Sequence, residues 1–469
     1  MFLDHRFRSR LHAATVVAAL FVSAPALAQV PRLRRMAVVG DSVLAGFGSG
    51  GLVAAGPTDQ REDAPALVAA QGGVRLPQAL MSSPGVPPPL RIVDQNDNGR
   101  LDPGDVRRTA TTIGFRKNTG RTSRNLAVPG EDMTSVFDTV DAEDVGKQLL
   151  TGGIDGRDIL KFLILDLPLH ANPVSQLTRV RSIRPTFIMV WLGNNDVLPM
   201  ATRTNPAAAT FTPTAFGTQY RRFLNALADT GADMAVANLP DVTEIAALRR
   251  ADTDVTSCRT DGGDVVPVAP DDRVSLALDP SQLPVPPCGK VLDSAEGAQI
   301  RATVIAYNTE ITAAIADVEQ SRGVAIATVD VFTVFDDAAM HGVRLGSSAT
   351  GGFLLDTRYL GGIFSLDGVH PTHTAHALIA NAFIDAIHAR FGDAIADVDV
   401  QTVASEDPLV ENPFRPAGEP PFGLIDQSAD VQDGLDDAFH HVESQARDVF
   451  KKLRHRVHRL FDRIARLFS

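Results

Sequence analysis

Apolar residues in this chain fall into short runs, separated by longer segments in which apolar positions recur at helical spacing. The runs occupy residues 35–42, 125–130, 186–193, 233–240 and 324–332 and are rich in Val, Ile, Ala and Phe. Polar residues do not line either face of these runs, as expected for strands that are covered on both sides. The pattern therefore predicts five buried parallel strands.

Three longer segments have the spacing of apolar residues that is typical of helices. They cover residues 212–231, 293–323 and 371–392, and each ends at a glycine, which is a common helix stop. Strands that alternate with helices predict an α/β protein with three layers, in which a doubly wound parallel sheet lies between helices.

Segments rich in Gly and Pro interrupt this alternation. We predict one domain over residues 29–400, with insertions at about 46–110 and 250–292 that shape the rim of a pocket. Residues 401–430 are rich in Pro and predict a linker. Residues 431–469 follow it as a separate C-terminal helix.

Residues 1–28 have the pattern of an export signal. Arg6, Arg8 and Arg10 form a basic start, and an apolar run follows that ends in small residues up to Ala28. A membrane anchor is the alternative, but the run is short for a bilayer span. We expect cleavage after Ala28 and an exported protein, periplasmic or secreted.

The chain has two cysteines, Cys258 and Cys288. In an oxidising compartment an isolated pair is most simply a disulfide, and here it would close a segment rich in Pro, Gly and Asp. Two free thiols are the alternative. With so few thiols, a metal site built on cysteine is not expected.

The net charge of −12 is unevenly distributed along the chain. Residues 446–469 carry a net charge of +6 and residues 1–28 a net charge of +2, which leaves −20 for the part between them. An acidic body of this kind argues against a nucleic-acid partner.

Candidate catalytic residues lie where the predicted strands end. Ser42 follows the first run, Gly130 the second and Asn195 the third, while Asp367 and His370 lie in the loop before the last helix. Ligands of open α/β sheets bind at the carboxyl ends of the strands, so these five residues are expected to meet at one edge.

The residue types suit the hydrolysis of an ester. A serine hydroxyl needs a base to take its proton, and His370 is the candidate base for Ser42. Asp367 could accept a hydrogen bond from the imidazole and fix its orientation. The oxyanion formed by attack needs donors, for which the backbone N–H groups of Ser42 and Gly130 and the amide of Asn195 are candidates.

Four sequence blocks resemble the SGNH (GDSL) hydrolases, and the resemblance covers roughly residues 31–392. The blocks are "VVGDSVLAGFG", "NLAVPGEDM", "VWLGNNDVL" and "FSLDGVHPTHTAHALIANAF", and they occur in the family's order. The resemblance implies a flavodoxin-like SGNH hydrolase fold. It also implies a triad of Ser42, His370 and Asp367, with Gly130 and Asn195 as oxyanion-hole donors.

Two features of these blocks need separate comment. Val43 stands where the family has Leu, at a position that packs rather than reacts. His373 and His376 fall inside the predicted last helix, so we interpret them as surface or core histidines rather than as catalytic groups.

The resemblance implies an exported serine esterase or lipase that acts on a small ester or lipid and needs no cofactor for its chemistry. A protein of a different class is the alternative: a non-catalytic surface or binding protein that retains the fold. The presence of all five functional positions argues against that alternative.

Residues 94–105, "DQNDNGRLDPGD", have the spacing of an EF-hand type calcium loop. The oxygen ligands would come from the side chains of five residues and from the backbone carbonyl of Arg100; the side chains are those of Asp94, Asn96, Asn98, Asp102 and Asp105. Gly99 lies where such a loop turns sharply. The loop predicts one structural calcium ion, and an ordinary acidic turn is the alternative.

Residues 449–468 have apolar side chains at steps of three and four, with Lys and Arg between them. A basic amphipathic helix of this kind suits an anionic membrane surface. Docking on the acidic body and self-association as a coiled coil through residues 446–469 are the alternatives.

Overall fold

The computed structural model describes the part of the chain that carries the predicted domain. The described residues are 29–110, 112–151, 155–167, 170, 172–251, 255–278, 280–346, 352–410, 422 and 424. The predicted export signal at 1–28 and the basic helix at 431–469 lie outside them, as does most of the predicted linker.

A parallel sheet of four strands forms the centre of the molecule, in the order β1-β4-β5-β11. The strands of the structure are β1 (Met36–Gly40), β2 (Leu90–Ile92), β3 (Val106–Arg108), β4 (Phe187–Trp191), β5 (Asp233–Ala237), β6 (Leu248–Arg250), β7 (Ser257–Arg259), β8 (Val265–Pro267), β9 (Arg273–Ser275), β10 (Val291–Leu292), β11 (Ile326–Val329), β12 (Val343–Leu345) and β13 (Phe353–Leu355). All residues of β1 and β4 are buried, as their apolar sequences predict. Four of the five predicted strands are therefore confirmed.

The fifth predicted strand, at 125–130, is present only as an extended segment beside β1. The N–H groups of Leu126 and Val128 donate to the carbonyls of Val38 and Gly40 at 2.9 and 3.0 Å. The pairing amounts to an isolated bridge, and the chain turns away at Gly130, which has a φ of 79°. The segment is too short for a full strand, but it still brings Gly130 to the carboxyl end of β1.

Helices cover the sheet in two groups, which confirms the three-layer α/β/α fold. The helices are α1 (Ala64–Gln71), α2 (Ala142–Thr151), α3 (Gly156–Leu165), α4 (Gln176–Ile183), α5 (Asn194–Thr202), α6 (Pro213–Ala228), α7 (Ser294–Arg322), α8 (Val331–His341), α9 (His373–Phe391) and α10 (Val400–Glu406). The helices α4, α6 and α7 pack together, and α9 packs against α1, α8 and α10.

Side-chain caps explain where the two longest helices begin. Asp293 and Glu296 form a capping box at the start of α7. Thr372 caps α9 by accepting a hydrogen bond from the N–H of Ala375 at 3.1 Å. The helix therefore starts two residues after Pro371, and the cap fixes the end of the loop that carries His370.

The two insertions are packed as integral parts of the domain. The first contains α1 and the hairpin of β2 and β3, and its residues Leu52, Met81 and Val86 are fully buried. The second forms the antiparallel sheet β10-β9-β6 and the hairpin of β7 and β8. Burial of this apolar surface holds the insertions against the sheet.

Cys258 on β7 forms a disulfide with Cys288, which confirms the predicted pair. The bond closes a segment with a sequence separation of 30 residues. The strand β7 also pairs with β8, so the bond and the hairpin together hold the second insertion.

The packed structure continues past residue 400, where we expected a linker to begin. The helix α10 packs on α9, and Asp407 accepts hydrogen bonds from the N–H and hydroxyl of Thr374 at 2.9 and 2.8 Å. Phe422 and Leu424 are buried as well. At least part of this Pro-rich segment therefore belongs to the domain. Among the described residues, no helix is apolar over enough of its length to cross a membrane.

Candidate active site

Ser42 lies in a tight turn directly after β1. The N–H of Ala45 donates to the carbonyl of Asp41, and the N–H of Phe47 donates to the carbonyl of Ser42, at 3.1 and 3.0 Å. The buried strand thus ends two residues before the serine, and the turn leaves Ser42 8% exposed in the wall of a pocket.

His370 and Asp367 are held together by a short, buried hydrogen bond. Nδ1 of His370 lies 2.9 Å from Oδ2 of Asp367, and both residues are buried. The other carboxylate oxygen, Oδ1, accepts from the backbone N–H groups of Val369 and His370, each at 2.8 Å. The ring of Phe47 packs on the imidazole, with centroids 4.8 Å apart. These contacts fix the orientation of the imidazole.

The carboxyl of Asp367 remains ionised in this buried place. Burial alone would raise its pKa, but the adjacent His370 and the donors around it outweigh burial, and the pKa lies below its usual value. The N–H of Gly50, from the first insertion, is one of these donors. A charged carboxylate can stabilise a proton on the imidazole.

One pocket has Ser42, Asn195 and His370 in its wall. Its empty volume is about 610 Å³ with its open mouth included. Most of its surface is apolar and comes from side chains of several elements, among them Trp191, Leu198, Val242, Ile245, Phe335 and Phe364. We call it the active-site pocket.

Gly130 does not line this pocket, but it belongs to the loop that lies against it. The Nδ2 of Asn195 donates to the carbonyl of Glu131 at 2.8 Å, so the amide ties α5 to the Gly130 loop. A Cβ on Gly130 would meet only the side chain of Arg157, at 3.9 Å. The backbone conformation, with a φ of 79°, is therefore the reason for glycine here rather than a lack of space.

Asn195 is the second residue of α5, which starts after Gly193 at the end of β4. Gly193 has a φ of 117° and turns the chain from the strand into the helix. An amide nitrogen carries two hydrogens, and one of those on Asn195 is donated to Glu131. The second hydrogen is the one that could reach a ligand in the pocket.

A buried network that the sequence analysis missed joins these segments. Nζ of Lys161 lies 2.9 Å from Oε1 of Glu131, and both side chains are buried. Gln176 donates to Oε2 of Glu131 at 3.1 Å and to the carbonyl of Gly40 at 2.8 Å. Its own Oε1 accepts from the N–H of Gly40 at 2.9 Å. The network thus links the end of β1 to the Gly130 loop.

Asp41, next to Ser42, is a second residue that the sequence analysis missed. Nδ2 of Asn194 donates to its Oδ2 at 2.9 Å, and the N–H of Val43 donates to its Oδ1 at 3.2 Å. Burial raises the pKa of Asp41 to about 6, and these donors offset only part of that effect. The only sequence signal was its place within the "GDS" block.

The two other histidines of the last block do not line the active-site pocket. Nδ1 of His373 pairs with the carboxylate of Glu62 at 2.6 Å. His376 is buried, and burial lowers its pKa to about 3. Both contact the first insertion, which agrees with our interpretation of them as structural residues.

The 94–105 loop connects β2 to β3 and so joins two strands instead of two helices. Gly99 turns with a φ of 72°. The carboxylates are engaged within the loop: Asp94 accepts from the N–H of Gly99 at 2.7 Å and Asp102 from the amide of Asn98 at 2.7 Å. Within the described residues, no three His, Cys, Asp or Glu side chains are grouped to hold a metal ion. The oxygen donors suit calcium, and the amide groups of Asn96 and Asn98 meet the carboxylate of Asp102 within the loop.

The model of the GDSL-like lipase/acylhydrolase family matches residues 36–383. An α/β hydrolase from the metagenome of Lake Arreo is 13% identical, with a TM-score of 0.30 over 75% of this chain and 93% of that one. An extracellular lipase of Streptomyces rimosus is 14% identical, with a TM-score of 0.31 over 76% and 98% of the two chains. No curated protein sequence matches this chain.

Proposed function

Since the chain belongs to the GDSL-like lipase/acylhydrolase family and is thus a carboxylic ester hydrolase, we propose that Ser42, His370 and Asp367 form its catalytic triad. The observation that carries this proposal is the hydrogen bond of 2.9 Å between His370 and Asp367, with His370 and Ser42 in the wall of one pocket. A non-catalytic protein with this fold is not favoured by any contact in the site.

In the proposed reaction, Nε2 of His370 takes the proton of the Ser42 hydroxyl as Oγ attacks the ester carbonyl carbon. The carbonyl oxygen becomes an oxyanion. When the intermediate collapses, the bond to the alcohol breaks and His370 returns the proton to that alcohol. Water then attacks the acyl-serine by the same route and releases the acid and free Ser42.

Asp367 has a supporting role in this scheme. Nδ1 of His370 faces its carboxylate, so the proton of the neutral imidazole stays on Nδ1 and leaves Nε2 free to act as base. The imidazolium formed during attack lies beside a carboxylate whose pKa is lowered, which stabilises the positive charge.

We assign the oxyanion hole to the backbone N–H groups of Ser42 and Gly130 and to the amide of Asn195. The buried pair of Glu131 and Lys161 supports this assignment, because it holds the Gly130 loop at a fixed place beside the end of β1. Donors that are fixed before the reaction need no reorganisation when charge develops on the oxygen.

The active-site pocket favours an apolar acyl group. Its wall next to Ser42 carries Leu198, Ile245 and Phe364. These side chains offer dispersion contacts to an acyl group and exclude water, and they form no hydrogen bonds with it. Ester and lipid substrates are those of the family, and the pocket is consistent with either.

Covalent labelling tests the proposal. A fluorophosphonate ester should attach to Ser42 Oγ, lose fluoride and be found by mass spectrometry on the peptide that contains Ser42. Ser42→Ala should abolish the adduct, while Ser321→Ala, which changes an exposed serine of α7, should retain it. An adduct on another serine in the wild type would contradict the assignment.

We also propose export and a membrane role for the regions outside the described residues. Removal of residues 1–28 would release the mature protein, and the disulfide between Cys258 and Cys288 is compatible with an oxidising compartment. The basic helix at 446–469 would bind anionic lipid. Co-sedimentation with anionic vesicles, for the protein with and without residues 431–469, tests the membrane role. Equal binding of the two forms would refute that role. A change in oligomeric state on truncation would favour self-association instead.

A further inference from the structure

A second pocket lies directly beside the active-site pocket. We call it the arginine pocket, and it is lined by Arg249, Arg250, Arg273 and Arg358 together with Glu244 and Thr357. Glu244, Ile245 and Thr357 line both pockets. A single ligand could therefore place one part beside Ser42 and another part among the arginines.

The charge of the arginine pocket is opposite to that of the rest of the protein. Its wall carries four arginines and one glutamate, while Asp271 and Asp356 pair with Arg250 and Arg358 from outside the wall, which leaves a net charge of +1. The chain as a whole has a net charge of −12. Positive charge concentrated in a concave site within an acidic protein raises the local concentration of anions.

Two of these arginines face each other across neighbouring strands. Arg250 on β6 is the register partner of Arg273 on β9 in an antiparallel pair. Like charges at directly opposed positions destabilise a sheet. An anion bound between the two guanidinium groups would offset that cost.

Each arginine of this pair also has an acidic partner. Arg273 pairs with Glu244 at 2.6 Å, and Arg250 pairs with Asp271 at 3.0 Å. The side chains of Arg250 and Asp271 are 60% and 80% exposed, so their ion pair is weak and solvated. Arg250 can therefore turn towards an incoming anion at little cost.

The opposite wall of the arginine pocket is tied to the catalytic loop. The hydroxyl of Tyr359, the residue after Arg358, donates to the carbonyl of Leu366 at 2.8 Å. Leu366 precedes Asp367, whose carboxylate holds His370. The position of Arg358 is thus linked to that of the proposed base through a few buried residues.

We propose that the arginine pocket binds a phosphate on the alcohol part of the ester, while the acyl group lies in the active-site pocket. The inference rests on the proposed function of Ser42 and adds the substrate class, a phosphorylated acyl ester. Arginine forks match the oxygens of carboxylate and phosphate alike. Phosphate presents three oxygens, and so it suits a pocket with four arginines better than a carboxylate with two.

Matched substrates test this assignment. The kcat/KM values of the wild type are measured for a monohexanoylglycerol and for the same glyceride carrying a phosphate. The double variant Arg250→Gln with Arg358→Gln changes two side chains that are 60% and 70% exposed, so it should fold. The control, Arg181→Gln with Arg221→Gln, removes two exposed ion-paired arginines elsewhere.

The wild type should prefer the phosphorylated ester, and the pocket variant should lower that preference by about tenfold or more, mainly through KM, because charged hydrogen bonds are lost. The control variant should keep the wild-type preference. An unchanged preference in the pocket variant, or an equal loss in the control, would overturn the proposal.

Two further measurements distinguish a wrong substrate assignment from a wrong triad. If inorganic phosphate raises the Tm of the wild type but not of the pocket variant, while the two esters are hydrolysed equally well, the pocket binds free anions and the substrate assignment is wrong. Undiminished hydrolysis of both esters by Ser42→Ala would overturn the proposed triad instead, whatever the preference shows.

Discussion

Lys161 and Glu131 form an ion pair of 2.9 Å from which water is almost fully excluded. Glu131 follows Gly130 in sequence, and its carbonyl accepts from Asn195. Nζ of Lys161 also donates to the carbonyl of Ser135 at 2.8 Å. The pair therefore supports the loop to which we assign an oxyanion-hole donor.

Lys161→Met should destabilise the fold strongly, because it leaves the Glu131 carboxylate buried without its counter-charge. Breaking a buried pair in this way costs about 3–5 kcal/mol. The free energy of unfolding from urea titration measures the loss. The double variant with Glu131→Gln removes both charges and should recover much of it. A single variant within about 1 kcal/mol of the wild type would show that the pair is not important for stability.

Asn195→Ala should lower kcat by roughly 10²–10³ with little change in KM, because the amide would act on charge that develops in the transition state. Steady-state kinetics on a soluble ester separate the two constants. Since Asn195 also holds the carbonyl of Glu131, Tm is measured as a control for a loosened loop. A change confined to KM would mean that Asn195 binds the substrate in its ground state instead.

Asp41 should make stability depend on pH in a predictable direction. Its pKa is raised by burial from 3.8 to about 6, so between these values the folded state binds the proton more tightly than the unfolded state. Stability from this group is present at low pH and is lost as pH rises through about 6. The free energy of unfolding of Asp41→Asn, relative to that of the wild type, should therefore rise by up to about 3 kcal/mol as the pH increases across that window.

Urea titrations of both proteins at a series of pH values from about 4 to about 7 check this sign. A difference between the wild type and Asp41→Asn that stays constant with pH would show that Asp41 titrates normally. If the wild type instead became more stable relative to Asp41→Asn as the pH rises, the carboxylate of Asp41 would be stabilised in the folded state.

Calcium should stabilise the protein through the 94–105 loop, even though its carboxylates accept hydrogen bonds from N–H and amide groups of the loop here. Binding to the folded state alone raises Tm by mass action. A chelator should therefore lower Tm, and Asp94→Ala with Asp105→Ala should abolish the difference. The control pair Asp261→Ala with Asp264→Ala changes an exposed turn elsewhere. A wild-type Tm that does not respond to chelator would show that the loop is an ordinary turn.

The sequence predicted those parts of the fold and site that depend on local patterns. The buried strands showed as continuous apolar runs, and Asp367 and His370 are three residues apart, so their contact follows from one loop. The strand at 125–130 was only partly correct, because the Pro129-Gly130 turn ends it early.

The supporting residues of the site could not be predicted in the same way. Lys161 lies within the run 159–165, which is otherwise apolar, and Glu131 lies 30 residues earlier, so no spacing pairs them. Gln176 reaches Gly40 across the sheet from a separate helix. Such contacts arise from the packing of distant segments, and a single sequence carries no signal for them.

The most direct test of the account is the turnover of a short p-nitrophenyl ester by purified wild type, Ser42→Ala and His370→Ala. Circular dichroism verifies that each variant is folded, and the preparation is freed of other esterases. We predict that each substitution lowers kcat by at least about a thousandfold, because the triad acts as a unit. Turnover near that of the wild type by either variant would contradict the triad and with it the proposed mechanism.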